Sequence, residues 1–221
     1  LVIGTMSPDF EYLLRLRPEG NISHSLTGIF VFCLPVGLVV WIAYRLLVRP
    51  ALVELLPPPL AGELTAPSRP YAPAALAIML GALSHLAWDS FTHGYGWFVG
   101  HSGLLRRTIE IGPLDYPAYR WLQHISSVVG LLIIFYWIVT WLRRHPPGTR
   151  AFTAAHVSRI TRIAVVLVGI AAVCAVLNGF RADRDNVGLV LGYVAVGGMD
   201  GLAIGLLVFG SAHASRSERP A

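Results

Sequence analysis

The chain has 221 residues, 55% of them hydrophobic and 13% charged, with mean hydropathy +0.62 and formal net charge +5. A soluble globular chain carries roughly 25% charged residues, so the composition excludes an ordinary soluble enzyme and points to an all-α integral membrane bundle. The positive charge is all arginine and is spread among the loops, which makes it a topology signal and excludes a nucleic-acid-binding face.

The opening "LVIGTMSPDF" has no basic n-region and no cleavage site, so no signal peptide is expected; without an initiator Met, further residues are expected upstream. Ser7 is a good N-cap, Pro8 a good first helical residue, and Asp9 suits the positive end of a helix. A short interfacial helix from Pro8 to Arg17 is therefore predicted.

Five runs are long enough to cross about 30 Å of hydrocarbon, which takes about 20 residues. They are Leu26 to Val48, Ala74 to about Phe91, Trp121 to Leu142, Ile160 to Phe180 and Val187 to Gly210. Pro35 should kink the first. The proline-rich stretch after it, Arg49 to Pro73, should be irregular. "VGHSGLLRRTIEIGPLDYPAYR" has room for a short interfacial helix at its start. Only "RADRDN" separates the last two spans, so they form a tight helical hairpin, with Gly197, Gly198, Gly201 and Gly205 as a small-residue face. No internal repeat is visible, and residues 1–221 read as one membrane domain. Cys33 and Cys174 lie in apolar runs, where thiols behave as small hydrophobes, and no disulfide is expected.

Arginine sets the orientation. The loop after the third span, with the ends of its flanking spans, carries Arg143, Arg144, Arg150, Arg159 and Arg162, which places it in the cytoplasm. The N-terminal stretch, the loop after the second span and "RADRDN" then lie outside the plasma (inner) membrane.

The polar residues converge on that outer face. Asp9 is in the N-terminal segment and His24 starts the first span. "HLAWDSFTH" ends the second with His85, Asp89 and His93, and His124 starts the third beside Gln123 and Ser127. Residues four apart on a helix sit about 40° apart and one turn along, so His85 and Asp89 project together. His93 continues the row if the helix reaches it. Carboxylates with imidazoles suit Zn²⁺, Mn²⁺ or Fe²⁺ without thiolates. A catalytic cation would acidify water to a nucleophile near neutral pH, with Asp9 as a further ligand or general base.

A lone histidine near a span end more often makes an interhelical hydrogen bond, typically worth about 0.6 kcal/mol. Six such residues at one depth favour a site. His101 and His145 read as loop residues, and Asn21-Ile22-Ser23 as a chance glycosylation sequon. Trp88, Tyr95, Trp97, Tyr116, Tyr119 and Trp121 read as an interfacial aromatic belt. Asp200, deep in "GGMDG", is an intramembrane acid with either a structural or a functional role and Arg162 as a candidate partner.

The blocks "SPDFEYLL", "NISHSLTG", "GALSHLAWDSFTH" and "YRWLQHISSVVGL" resemble the multi-pass bacterial membrane proteins called domain of unknown function 4184, over most of the chain. More distantly, the Pro-Asp, His-Ser and His-x-x-x-Asp blocks are similar to membrane-bound metal-dependent hydrolases, a likeness that implies roles for Asp9, His24, His85 and Asp89. That group has a His-Arg pair five residues before the second histidine, where this chain has Glu19, and a histidine upstream of Leu1.

The sequence thus leads to a multi-pass membrane protein holding a divalent metal on His24, His85, Asp89, His93 and His124, with Asp9 catalytic. Hydrolysis of a lipid-like phosphoester or other ester is the expected reaction, with membrane lipids as partners and no nucleic acid. The alternatives are a small transporter or metal-handling protein, for which Asp200 would matter, and a structural membrane protein whose cluster ties helices together.

Overall fold

The computed structural model describes residues 1–55, 61, 71–112, 114–144, 154–183 and 187–217. It is almost wholly helical, and five helices are long and apolar enough to cross a membrane: Leu26–Leu55, Ala72–His101, Ala118–Trp141, Val157–Gly179 and Gly188–Ser215. Every one outlasts the apolar run that announced it. Hydropathy marks the length that matches hydrocarbon, whereas a helix continues through polar residues while its own hydrogen bonds close. His145, Arg150 and most of the proline-rich stretch lie outside the described residues.

Packing divides the chain into two compact units, Leu1–Ala82 with Pro147–Ala221, and Leu83–Pro146. The first opens with α1 (Val2–Met6), a 3-10 turn (Ser7–Asp9) and α2 (Phe10–Arg15). Ser7 is therefore not an N-cap. The chain is already helical before it, and the buried Ser7 hydroxyl donates back to Gly4 O at 2.8 Å. Nor does α2 reach Arg17. It closes at Leu16 in the left-handed region (φ 54), with Leu16 N–H on Leu13 O and Arg17 N–H on Tyr12 O. This is a Schellman ending, which glycine usually makes; here Arg181 helps by donating to Leu16 O at 3.1 Å.

The long helix α3 (Leu26–Leu55) contains two π-helical stretches, Ile29–Cys33 and Tyr44–Val48. Pro35 stands two residues after the first, where its missing N–H and bulky ring interrupt the regular ladder, so the irregularity expected at Pro35 begins ahead of it as a widened turn. Residues Arg49–Leu55, expected to be irregular, continue the helix with Ala51 and Leu55 buried. α4 (Tyr71–Thr92) enters the same unit with its first half. Ile78 lies against Gly37 and, backbone to backbone, against Gly4. A Cβ on Gly81 would fall 2.6 Å from Leu1 O and 2.7 Å from Gly4 C. These are backbone atoms and cannot swing aside, so Gly81→Val is expected to cost about 1–3 kcal/mol, read as a lower melting midpoint in detergent.

Also in the first unit, α8 (Ala154–Gly179) and α9 (Val187–Ser217) pair closely, as the short connection requires. Gly197 meets Cys174 O, a Cβ on Gly201 would lie 2.6 Å from Ala171 Cα, and one on Gly205 2.7 Å from Leu167 Cδ2. Gly198 is off this seam, in ordinary contact with Ala175. At the far end Glu54 on α3 pairs with Arg159 on α8 and, at 3.0 Å, with His213 on α9.

The second unit holds the end of α4, then α5 (Trp97–His101) and α6 (Gly103–Arg106), a hairpin and α7 (Ala118–Arg144). The hairpin pairs β1 (Thr108–Ile111) with β2 (Leu114–Pro117), Thr108 facing Pro117 and Ile111 facing Leu114. Its signal was the alternation in "TIEIGPLDYP" around Gly112, which takes φ 61. Trp121 on α7 donates to Ile109 O at 3.0 Å. Apolar side chains of α7 from Val128 to Ile138 are mostly exposed, as befits a helix with apolar surroundings.

Candidate metal centre

Asp9 ends the 3-10 turn, and His24 stands where the chain returns to start α3. Their side chains meet, with His24 Nε2 3.3 Å from Asp9 Oδ1. The return is held by Glu11, whose carboxylate is 3% exposed. It accepts the backbone N–H groups of Asn21 (3.1 Å), Ile22 (3.0 Å) and Ser23 (2.8 Å), and Arg15 closes the other side at 2.7 Å. Burial alone would raise the Glu11 pKa; the hydrogen bonds, those from Ser23 foremost, outweigh it and bring it down to about 2. Gly20 leaves the space this fold needs, since a Cβ there would lie 2.9 Å from the Tyr12 ring and 3.1 Å from His24 Nδ1. Ser25 then caps α3, accepting from Gly28 N–H at 2.9 Å.

His24 itself is clasped on both ring nitrogens. Ser23 Oγ lies 3.0 Å from Nδ1 and Tyr12 Oη 3.2 Å from Nε2, while the Tyr12 ring stacks on the imidazole with centroids 5.2 Å apart.

On α4 the four-residue spacing does what helix geometry requires. His85 Nε2 is 3.1 Å from Asp89 Oδ2, and His93 Nδ1 is 3.3 Å from Asp89 Oδ1. The regular helix ends at Thr92, but His93 N–H still bonds Asp89 O at 2.9 Å, which keeps His93 in the row. Tyr95 donates to Asp89 Oδ2 at 3.4 Å and stacks on His93. Gln123 Nε2 lies 3.2 Å from His93 Nε2. Asp89, 8% exposed, is thus the hub of a polar row.

α4 runs without a break past Gly81, and His85 comes one turn after that glycine's contact with the N-terminal helix. Asp9, His24 and His85 each offer one ligand atom, and these atoms all lie within 4.8 Å of one another. The three side chains are half-buried and can hold a metal ion. The donor set fits a divalent cation: two imidazoles and a carboxylate supply three ligands and leave a position open. With metal–ligand distances near 2.0–2.1 Å, tetrahedral ligand atoms sit about 3.3 Å apart, the separation already present between Asp9 and His24. His24 also carries the outer partner that a ligating imidazole needs, Ser23 on Nδ1, and Asp89 Oδ2 lies 3.1 Å from His85 Nε2.

The other candidates stand apart from that triad. Asp89 lies beside it through its contact with His85, and His93 follows on Asp89. His124 is exposed, with the Tyr116 ring edge-on to it at 6.1 Å. His101 closes a short helix, its Nδ1 on Trp97 O. Asp200 is buried in α9 with Oδ2 lacking a hydrogen-bond partner among the described residues, and Arg162 donates within its own helix to Ser158 O. Cys33 and Cys174 are free thiols. Sequence reasoning missed Glu11, Tyr12 and Ser23. Only their place beside "SPD" and "SHS" hinted at them.

A helical protein with five helices able to cross a membrane and a His/Asp cluster near one helix end is the class these features define. Residues 1–211 match the family described as Domain of unknown function (DUF4184), and the chain belongs to that family. No match was found among curated proteins or among solved structures.

Proposed function

We propose that this is an integral membrane hydrolase of the plasma membrane whose divalent cation, Zn²⁺, Mn²⁺ or Fe²⁺, is held by Asp9, His24 and His85 at the extracytoplasmic face. The meeting of these three side chains within 4.8 Å carries the reading. A cation there would polarise a scissile phosphoester or ester and acidify the attacking water. The residues around it do the rest. Asp89 orients His85, Ser23 and Tyr12 orient His24, and the row through His93 to Gln123 offers polar groups to a headgroup. Lipid-like substrates fit because the cluster lies near the end of an apolar helix.

Purified full-length protein in detergent should carry about one metal per chain by elemental mass spectrometry and should hydrolyse phosphoester or ester lipids in mixed micelles, with Asp9→Asn inactive. Metal-replete protein that holds no metal would end this reading. A second reading, a small transporter or metal-handling protein, draws on the buried Asp200 carboxylate. Metal-dependent flux into vesicles that Asp200→Asn abolishes, without hydrolysis, would favour it.

A further inference from the structure

We infer that Glu11 and Ser23 are the positioning residues of the metal centre: Glu11 folds the Asn21–Ser23 return, and Ser23 clasps His24 Nδ1, so that Nε2 is the atom presented to the cation. The inference rests on the proposed metal site and says which parts of the chain give it its geometry.

Three observations meet here. The Glu11 carboxylate is buried in the protein and spends both oxygens on consecutive backbone N–H groups, those of the three residues that lead into His24. A buried carboxylate used in this way fixes a loop, because rotating any of those peptides leaves a donor or the charge unsatisfied. Ser23, fully buried, ends that run and turns its hydroxyl onto Nδ1 at 3.0 Å. With Nδ1 engaged by Ser23, Nε2 is the nitrogen turned to Asp9 and the Tyr12 hydroxyl, and outer hydrogen bonds of this kind choose the metallated nitrogen of a histidine. Nε2 is also the nitrogen that lies 3.3 Å from Asp9 Oδ1. Arg15 keeps the Glu11 charge compensated without entering the centre.

Two variants separate the parts. Glu11→Gln puts an NH₂ group against backbone donors and releases at least one of them, while Ser23→Ala keeps the three backbone bonds of the return and removes the hydroxyl, with its clasp on Nδ1 and its bond to Glu11. Each full-length protein is titrated with Zn²⁺ against a chromophoric chelator. Zinc-free samples with ¹⁵N-labelled histidine are compared for the His24 ring signals, assigned with His24→Gln, and for melting midpoint. The expected result is zinc affinity about 10–100-fold weaker in both variants, with moved or broadened His24 ring signals. A purely structural role would lower the midpoint alone and leave the ring signals and the zinc affinity of the folded protein in place. That outcome overturns the inference. If the wild type binds no zinc, the metal reading fails by itself, and the ring signals still decide whether Glu11 and Ser23 position His24. Should Glu11→Gln not fold, Ser23→Ala carries the test.

Discussion

If the cluster holds the proposed cation, His85→Ala is expected to strip the protein of it, whereas Asp89→Asn only weakens retention. His85 is one of three side chains whose donor atoms converge within 4.8 Å. Without it an imidazole and a carboxylate remain, too few to hold a cation through purification. Asp89 lies outside the triad and meets His85 at 3.1 Å. Outer partners of this kind typically change metal affinity by about 10–100-fold, and loss of a ligand should exceed the upper end of that range. The asparagine in Asp89→Asn keeps the shape of the hub and one acceptor, so the helix should stand and only the hold on His85 should slacken. Elemental analysis of the two purified variants beside wild type distinguishes the cases. Equal metal loss in both would make Asp89 a ligand in its own right.

The second large effect concerns acid. Glu11 has its pKa lowered from 4.5 to about 2, a difference worth about 3 kcal/mol between its charged and neutral forms. The sign follows from the direction. The folded state favours the ionised carboxylate, so the contribution is complete above the unfolded pKa near 4.5. It is lost as pH falls from there toward about 2. Glu11→Gln, which resembles the neutral acid, should therefore be less stable than wild type by about 3 kcal/mol at neutral pH, and the gap should close in strong acid. Melting curves of both proteins in one detergent, from pH 7 to pH 2, read this as two midpoints that converge. A gap that stays constant across the range would mean that the charge of Glu11 contributes nothing and only its shape matters.

Much of this protein is legible in its sequence, for reasons that differ from part to part. The five long helices are visible because crossing hydrocarbon demands long uninterrupted apolar runs, and nothing else in a chain looks like that. Their true ends are not visible. Arg49–Leu55 reads as a loop beside the prolines, yet burial of Ala51 and Leu55 keeps it helical. The hairpin at Thr108–Pro117 is short enough to pass for connection, although its alternation was there to be read. At the candidate site, the His85–Asp89 pair follows from helical period alone. That Asp9 and His24 belong near it followed from counting which ends of alternating helices share a face. Glu11 was not legible at all. A glutamate in a short polar helix is ordinary, and only the folded return shows it taking three backbone donors.

That return bears on the order in which the molecule assembles. Every hydrogen bond that Glu11 accepts from the backbone comes from only ten to twelve residues downstream. Closing so short a loop has a small entropic cost and is fast. Two of the three residues of the cluster, Asp9 beside His24, can therefore take shape as soon as this segment has been synthesised, whereas His85 arrives on the next long helix. A nascent chain would then carry a two-donor, loosely metal-binding hook before it holds a complete centre, and docking of α4 at Gly81 would become the step that commits the ion.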